Sequence, residues 1–362
     1  MKNRNATIEL YRFLFAVSIA VMHFYESFVK KYKNISINPK FLQMGGGGYI
    51  GVEFFFILSG FLMYLTKRAK SAAGVGEPSS ALAAYAYTWD RVKKFAFHYL
   101  ASILMLMVYN AMTKGWGVSE WLHAFYQYKY ELIMFQMGGV ESVRINTPVW
   151  YISALVLIGF FVYYLLDKNE DLFVGFIAPA SILLSIAYFT NENGGTPAAA
   201  WGSWNGLFVN AWIRAFMELS LGVLCAVLFT RKKDVLRKNG PKALLSVLEI
   251  SGVLFLAYST QLRYTANDVF CCFVFAVLIV VAFTETTWLN TLCERARRPL
   301  CFLGRLTYPM LCYQRLLIFI FVNQVGIQTH YLSLLGFLGS VIAFSAGALL
   351  LETKLKEKIK LP

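Results

Sequence analysis

Glu9, Arg12 and His23 are ionisable side chains in one apolar stretch near the start of the chain, and their spacing could do chemistry. Glu9 and Arg12 stand three apart, so on a helix they are neighbours on one face. Between Arg12 and His23 lie eleven steps of about 100° each, which return the side chain to nearly the same face about 16 Å further along. All three therefore point into one cavity, with Arg12 and His23 too distant to touch. Such a face suits a long ligand lying along the helix, or the two ends of a passage across a membrane. The plainer alternative is an interfacial histidine and an arginine that only neutralises Glu9. Against it, an arginine at membrane depth costs about 2.5–3.5 kcal/mol on insertion scales and so calls for a reason.

A second ion pair is legible further on. Arg214 and Glu218 are four apart in an apolar run, where each can neutralise the other. Cavity lining and structural pairing are equally compatible with that spacing. Ser59-Gly60 reads as a place where helices approach closely. The Gly45–Gly48 run reads as a flexible linker ahead of a phosphate cradle. His98, His123 and His330 have no motif around them and read as interfacial. The cysteines, including adjacent Cys271 and Cys272, form no CxxC pair. They suggest small buried hydrophobes, with neither a disulfide framework nor a metal site.

The elements that must hold these residues follow from composition. The chain is 58% hydrophobic and 15% charged, against about 25% charged in an ordinary soluble domain. Lipid is the solvent this balance fits. Its net charge of +14 comes from short basic clusters between apolar runs, which excludes a nucleic-acid groove. A window of about 20 apolar residues places membrane spans near 6–25, 49–66, 95–112, 147–166, 171–190, 207–229, 243–260, 268–287, 300–323 and 331–351. The interrupted aromatic stretch 119–137 fits an interfacial or re-entrant helix better than a further span. Phe13–Met22 after Lys2, Arg4 and Arg12 has the look of a signal peptide. No small-x-small site follows it, so it reads as a retained first helix. The expected fold class is all-α, a polytopic membrane bundle of about ten helices forming a single domain over 1–362. Most of the 34 Lys and Arg residues fall in segments that lie inside when the N-terminus does. Both termini are therefore expected in the cytoplasm, with the chain crossing the plasma or inner membrane.

Several runs together resemble a known family. Glu9-x-x-Arg12, ten residues and His23 is similar to the opening motif of the acyltransferase family 3 membrane proteins. Gly48-Tyr49-Ile50-Gly51-Val52-Glu53-Phe54-Phe55-Phe56-Ile57-Leu58-Ser59-Gly60 resembles that family's Gly-x-x-Gly-Val-acid-x-Phe-Phe-x-x-Ser-Gly signature. Arg91-Val92-Lys93-Lys94, Asn146-Thr147-Pro148-Val149-Trp150-Tyr151 and Leu303-Gly304-Arg305-Leu306-Thr307-Tyr308 resemble later elements in the family's order. The chain departs from the pattern at Lys94, where Arg is usual, at Phe97, where Pro often follows, and at Gln314, where many members carry His. It also shows no appended extracytoplasmic hydrolase-like domain.

The resemblance implies transfer of an acyl group, usually acetyl, from cytoplasmic acetyl-CoA to a hydroxyl of a cell-surface or exported glycan. His23 is then the base that takes the acceptor proton, because imidazole titrates near neutrality. Glu53 would orient His23 or bind acceptor hydroxyls, with pairing to an intramembrane arginine as its other reading. Arg12, Arg91 and Lys94 become the cations for the coenzyme phosphates. Glu9, Trp150, Tyr151, Arg214 and Glu218 would support substrate or structure, an aromatic belt being the default for Trp150 and Tyr151. No metal is implied. Expected partners are the glycan acceptor, the bilayer, and glycan-synthesis proteins or a separate extracytoplasmic transferase. A transporter or flippase for a small substrate or glycan intermediate is the competing class, since intramembrane ion pairs serve transport equally well.

Overall fold

The computed structural model describes residues 4–31, 46–75, 77–140, 143–198, 200–238, 241–263, 265, 267–325 and 330–359. Within them the chain forms helices almost throughout, with one two-stranded hairpin, β1 (Ser203–Trp204) and β2 (Phe208–Val209). Ten helices are long and apolar enough to cross a membrane. In hydrocarbon every backbone N–H and C=O must be satisfied within its own segment, which a helix does and a loop does not.

The first crossing is α1 (Ala6–Lys31), and α2 (Gly51–Ala72) returns. The third, α3 (Ser80–Lys114), is far longer than the apolar core 95–112, because its charged first turns continue the helix beyond the apolar stretch. The 119–137 region folds as two short helices, α4 (Val118–Gln127) and α5 (Lys129–Leu132), and makes no crossing of its own. After α6 (Trp150–Lys168), a π-helical turn (Phe173–Ile177) leads into α7 (Ala178–Glu192). Then come α8 (Asn210–Lys238), α9 (Lys242–Ser259), α10 (Asn267–Thr284), the short α11 (Trp288–Arg295), α12 (Arg297–Phe319) and α13 (His330–Ile359). Ten such helices, an even number, return the chain to the side from which it starts if each crosses once, and that side is called here the terminal face. Leucines such as Leu183, Leu184, Leu254 and Leu335 are exposed on the outside, as lipid-facing residues should be.

Packing is closest where side chains are smallest. A Cβ added at Gly60 of α2 would run into the carbonyl of Leu219 on α8, and one at Gly222 of α8 into the carbonyl of Ile57 on α2. The two backbones touch at both points, so neither can yield by turning a flexible side chain. Gly60→Ala is therefore expected to cost at least the 1–3 kcal/mol typical of overpacking, read as a lower thermal midpoint of purified protein. An unchanged midpoint would contradict the crossing. Gly47 and Gly48 do similar work. A Cβ on either would clash with backbone carbonyls, those of Leu262 and Ser259 for Gly47 and that of Ser18 for Gly48. These two glycines are close-packing residues, which corrects the linker reading for them; Gly45 lies outside the described residues.

The start of α6 is tied down by a buried acid. Glu131 accepts hydrogen bonds from the backbone N–H groups of Ile145 and Asn146 at 2.7 and 2.9 Å. Its burial pushes the carboxyl up to about 7 against the pull of those donors. Asn146 in turn donates from Nδ2 to Ser102 Oγ and to the Cys312 carbonyl, both at 2.9 Å. α3, α12 and the entry to α6 are thus held in one register, which fixes where Trp150 and Tyr151 point.

Candidate functional site

α1 carries Arg12 and His23 on one cavity-lining face as their spacing predicts, whereas Glu9, expected in the same cavity, is buried against α12 and does not line it. Asn5 accepts from the N–H of Ile8 at 3.0 Å and donates to the carbonyl of Ala282 at 2.8 Å, anchoring the helix start to α10. Glu9 is buried, and Arg12 Nη1 donates to its two oxygens at 3.3 and 3.4 Å. Arg4 donates to the same carboxylate at 3.4 Å. A Cβ at Gly304 of α12 would collide with this carboxylate, so the glycine of Leu303-Gly304-Arg305-Leu306-Thr307-Tyr308 is the space in which Glu9 sits. One buried acid thereby holds two guanidinium groups at the terminal face.

A cavity of about 440 Å³ runs from these cations into the bundle. Arg4, Arg12, Arg91 and Lys94 line it toward the terminal face, and His23, Trp150 and Gln314 toward the other. Between them its wall is mainly apolar, with Phe55, Leu58, Leu62 and Leu155. Ser59, Tyr151, Thr307 and Tyr308 add hydroxyls along the way. A second cavity, of about 450 Å³, opens on the far side of His23 and contains Glu26, Lys30, Lys31 and Arg315. His23 lines both. The histidine therefore stands at the junction of two chambers that together reach toward both faces of the bundle.

The neighbour of His23 is Glu26, one turn on, with Oε2 3.8 Å from Nδ1. That is an ion-pair distance, longer than a hydrogen bond. Glu26 is held from behind by Arg263 Nη2, 2.5 Å from Oε1. Neither ring nitrogen of His23 has a hydrogen-bond partner within the described residues, so the imidazole is free to meet a hydroxyl. Glu26 was not singled out from the sequence, although its spacing of three from His23 was the available signal.

Glu53 is placed elsewhere, which corrects the expectation that it orients His23 or meets an acceptor. It is fully buried and does not line either cavity. Its carboxylate lies 3.8 Å from Arg214 Nη2 and accepts from the Cys272 thiol at 3.4 Å. Arg214 also donates from Nε to Glu218 at 2.8 Å. Glu53, Arg214 and Glu218 thus form one dry cluster where α2, α8 and α10 meet, so Arg214 and Glu218 pair structurally and do not line the cavity. Donor atoms of Glu53, Glu218 and Cys272 lie within 4.8 Å of one another, a spacing compatible with a metal ion. The positive charge actually facing both carboxylates is the guanidinium. Arg214 also lies 5.8 Å from the centroid of the Trp150 ring, which joins the cluster to the cavity wall.

The remaining predicted positions divide. Arg91 and Lys94 line the cavity, Arg91 resting on Tyr87 at 5.0 Å. Trp150 and Tyr151 line it too, so they are more than a belt. Ser59 donates to the carbonyl of Phe55 at 2.7 Å and lies 3.4 Å from the Tyr151 hydroxyl, the contacts of a packing serine with no base beside it. His98 is not interfacial: it is buried, with Nδ1 3.1 Å from the Tyr313 hydroxyl and Nε2 3.2 Å from Glu352. His123 is exposed on α4, and the side chain of His330 lies outside the described residues. Gln314, one residue from Arg315, is buried, donates to Leu311, and has a carbonyl oxygen with no partner.

Neither a curated protein nor a solved structure matches the chain at a significant level. A family model does, described as an acyltransferase domain and covering residues 5–353.

Proposed function

Since the chain belongs to this family of membrane acyltransferases, we propose that it moves an acetyl group from cytoplasmic acetyl-CoA to a hydroxyl of a cell-surface or exported glycan. The observation that carries the reading is the single cavity with cations at one end, an apolar middle and His23 at the other. Its cationic end suits the coenzyme phosphates, with Arg12 and Arg4 aimed by Glu9 and supplemented by Arg91 and Lys94. The thin pantetheine arm fits the middle, its methyl and methylene groups against the apolar wall and its two amides near the hydroxyls along it, and carries the thioester toward His23. Both termini then face the cytoplasm, where the coenzyme is, and the His23 end faces the glycan.

The step needs one base. His23 takes the proton from the acceptor hydroxyl while that oxygen attacks the thioester carbonyl. The C–O bond forms, the C–S bond breaks, and the coenzyme thiolate leaves, recovering the proton from the imidazolium. Glu26, 3.8 Å away, stabilises the imidazolium in between.

Reconstituted protein, given labelled acetyl-CoA on the terminal side and glycan on the other, is expected to label the glycan. Arg12→Ala should raise the KM for acetyl-CoA by about 10–100-fold, the worth of a charged hydrogen bond of roughly 1.5–3 kcal/mol. Substrate uptake without an acyl donor, and no label on glycan, would replace this reading by the transport one.

A further inference from the structure

Among the described residues, the outer chamber beyond His23 is lined by three cations and a single carboxylate. Lys30, Lys31 and Arg315 all line it, and its one carboxylate, Glu26, is already engaged by Arg263. Arg12 has Glu9 and Arg214 has Glu218 and Glu53, whereas Arg315 has no carboxylate within ion-pair distance among the described residues. Its guanidinium lies 4.5 Å over the Phe319 ring, and its Nε is buried without a hydrogen-bond partner. Glu26 and Glu131 attract it only from beyond ion-pair distance, which leaves room at the guanidinium for a closer, external anion.

Resting on the acyltransferase reading, we infer that the acceptor is anionic. It carries a carboxylate or a phosphate close to the acylated hydroxyl, and Arg315 with Lys30 holds that group in the outer chamber. Arg315 and His23 line the same chamber, so an anion on the guanidinium sets a neighbouring hydroxyl against the imidazole. Gln314, next to Arg315 in the chain, lines the inner cavity together with His23.

Binding of a short oligogalacturonate and of its neutral methyl ester would be measured on the protein in nanodiscs, with glycerol 3-phosphate against glycerol as the phosphate arm. At least one acid is expected to bind about tenfold more tightly than its neutral counterpart at low ionic strength, with the gap closing as salt is added. Which acid does so names the source of the anion. Arg315→Gln should remove most of the gap, and the exposed Lys30→Gln part of it, while acetyl-CoA affinity at the other end reports that each variant is folded. Equal binding of acid and neutral forms in both arms, or a gap unchanged in Arg315→Gln, overturns the inference. Selective anion binding with no acetyl transferred to any acceptor leaves the anion site standing and removes the transferase reading. Transfer to ester and acid at the same rate does the opposite.

Discussion

His23→Ala is expected to lower the rate of acyl transfer by about 10²–10⁴-fold, the usual contribution of a positioned general base, while acetyl-CoA binds as before. The separation of effects is the point. Arg12 and His23 line one cavity but lie about 16 Å apart along α1, so the donor phosphates do not meet the imidazole. Loss of the base should therefore appear in kcat, and loss of Arg12 in the KM for the donor. His23→Gln makes the same case with less disturbance to packing, since it keeps a hydrogen-bonding side chain of similar length yet cannot take a proton at neutral pH. Both variants should fall together. If His23→Gln transferred acetyl at the wild-type rate, the base would have to be sought elsewhere along the cavity. Wild-type kcat with a raised acceptor KM would make His23 a binding residue only.

Much of this site is legible in the primary structure because it is local. The return of His23 to the face of Arg12 needs only helical geometry, and the spans need only the demand that lipid makes on backbone polar groups. Glu26 is equally local, one turn from His23, but it lies outside the family-like motif. What the sequence hides is which helix stands opposite. Glu53 has the residue type and motif context of a catalytic acid, but the wall it faces belongs to α8 and α10, where Arg214 and Cys272 meet it. His98 shows the same limit, since one of its partners, Glu352, comes 254 residues later. Gly304 is explained only once α12 is seen lying against Glu9. The reading of Gly47 and Gly48 as linker failed for a related reason. Glycine signals both freedom and close approach, and only the neighbouring carbonyls decide between them.

Arg214→Met should be the most damaging single change in the membrane interior, costing about 3–5 kcal/mol, as expected when one member of a buried ion cluster is removed. Among the described residues the guanidinium is the one cation between two fully buried carboxyl groups, and Met leaves those groups facing each other. Glu218→Gln should cost much less, because Glu53 remains to face Arg214 and the Gln carbonyl can still accept from Nε. The order of the two thermal midpoints, Arg214→Met well below Glu218→Gln, is the measurement. Equal midpoints would mean that the cluster is not the counter-charged knot the distances describe. Activity then tells whether it is only a knot. Arg214 lies against Trp150, and Trp150 lines the cavity near His23. Replacing all three charged residues by apolar ones of similar volume can restore stability, but it cannot restore the cation behind the indole. A stable triple variant with full activity would assign the cluster to folding alone. A stable one with a raised acceptor KM would show that Arg214 holds the cavity wall in the shape the acceptor needs.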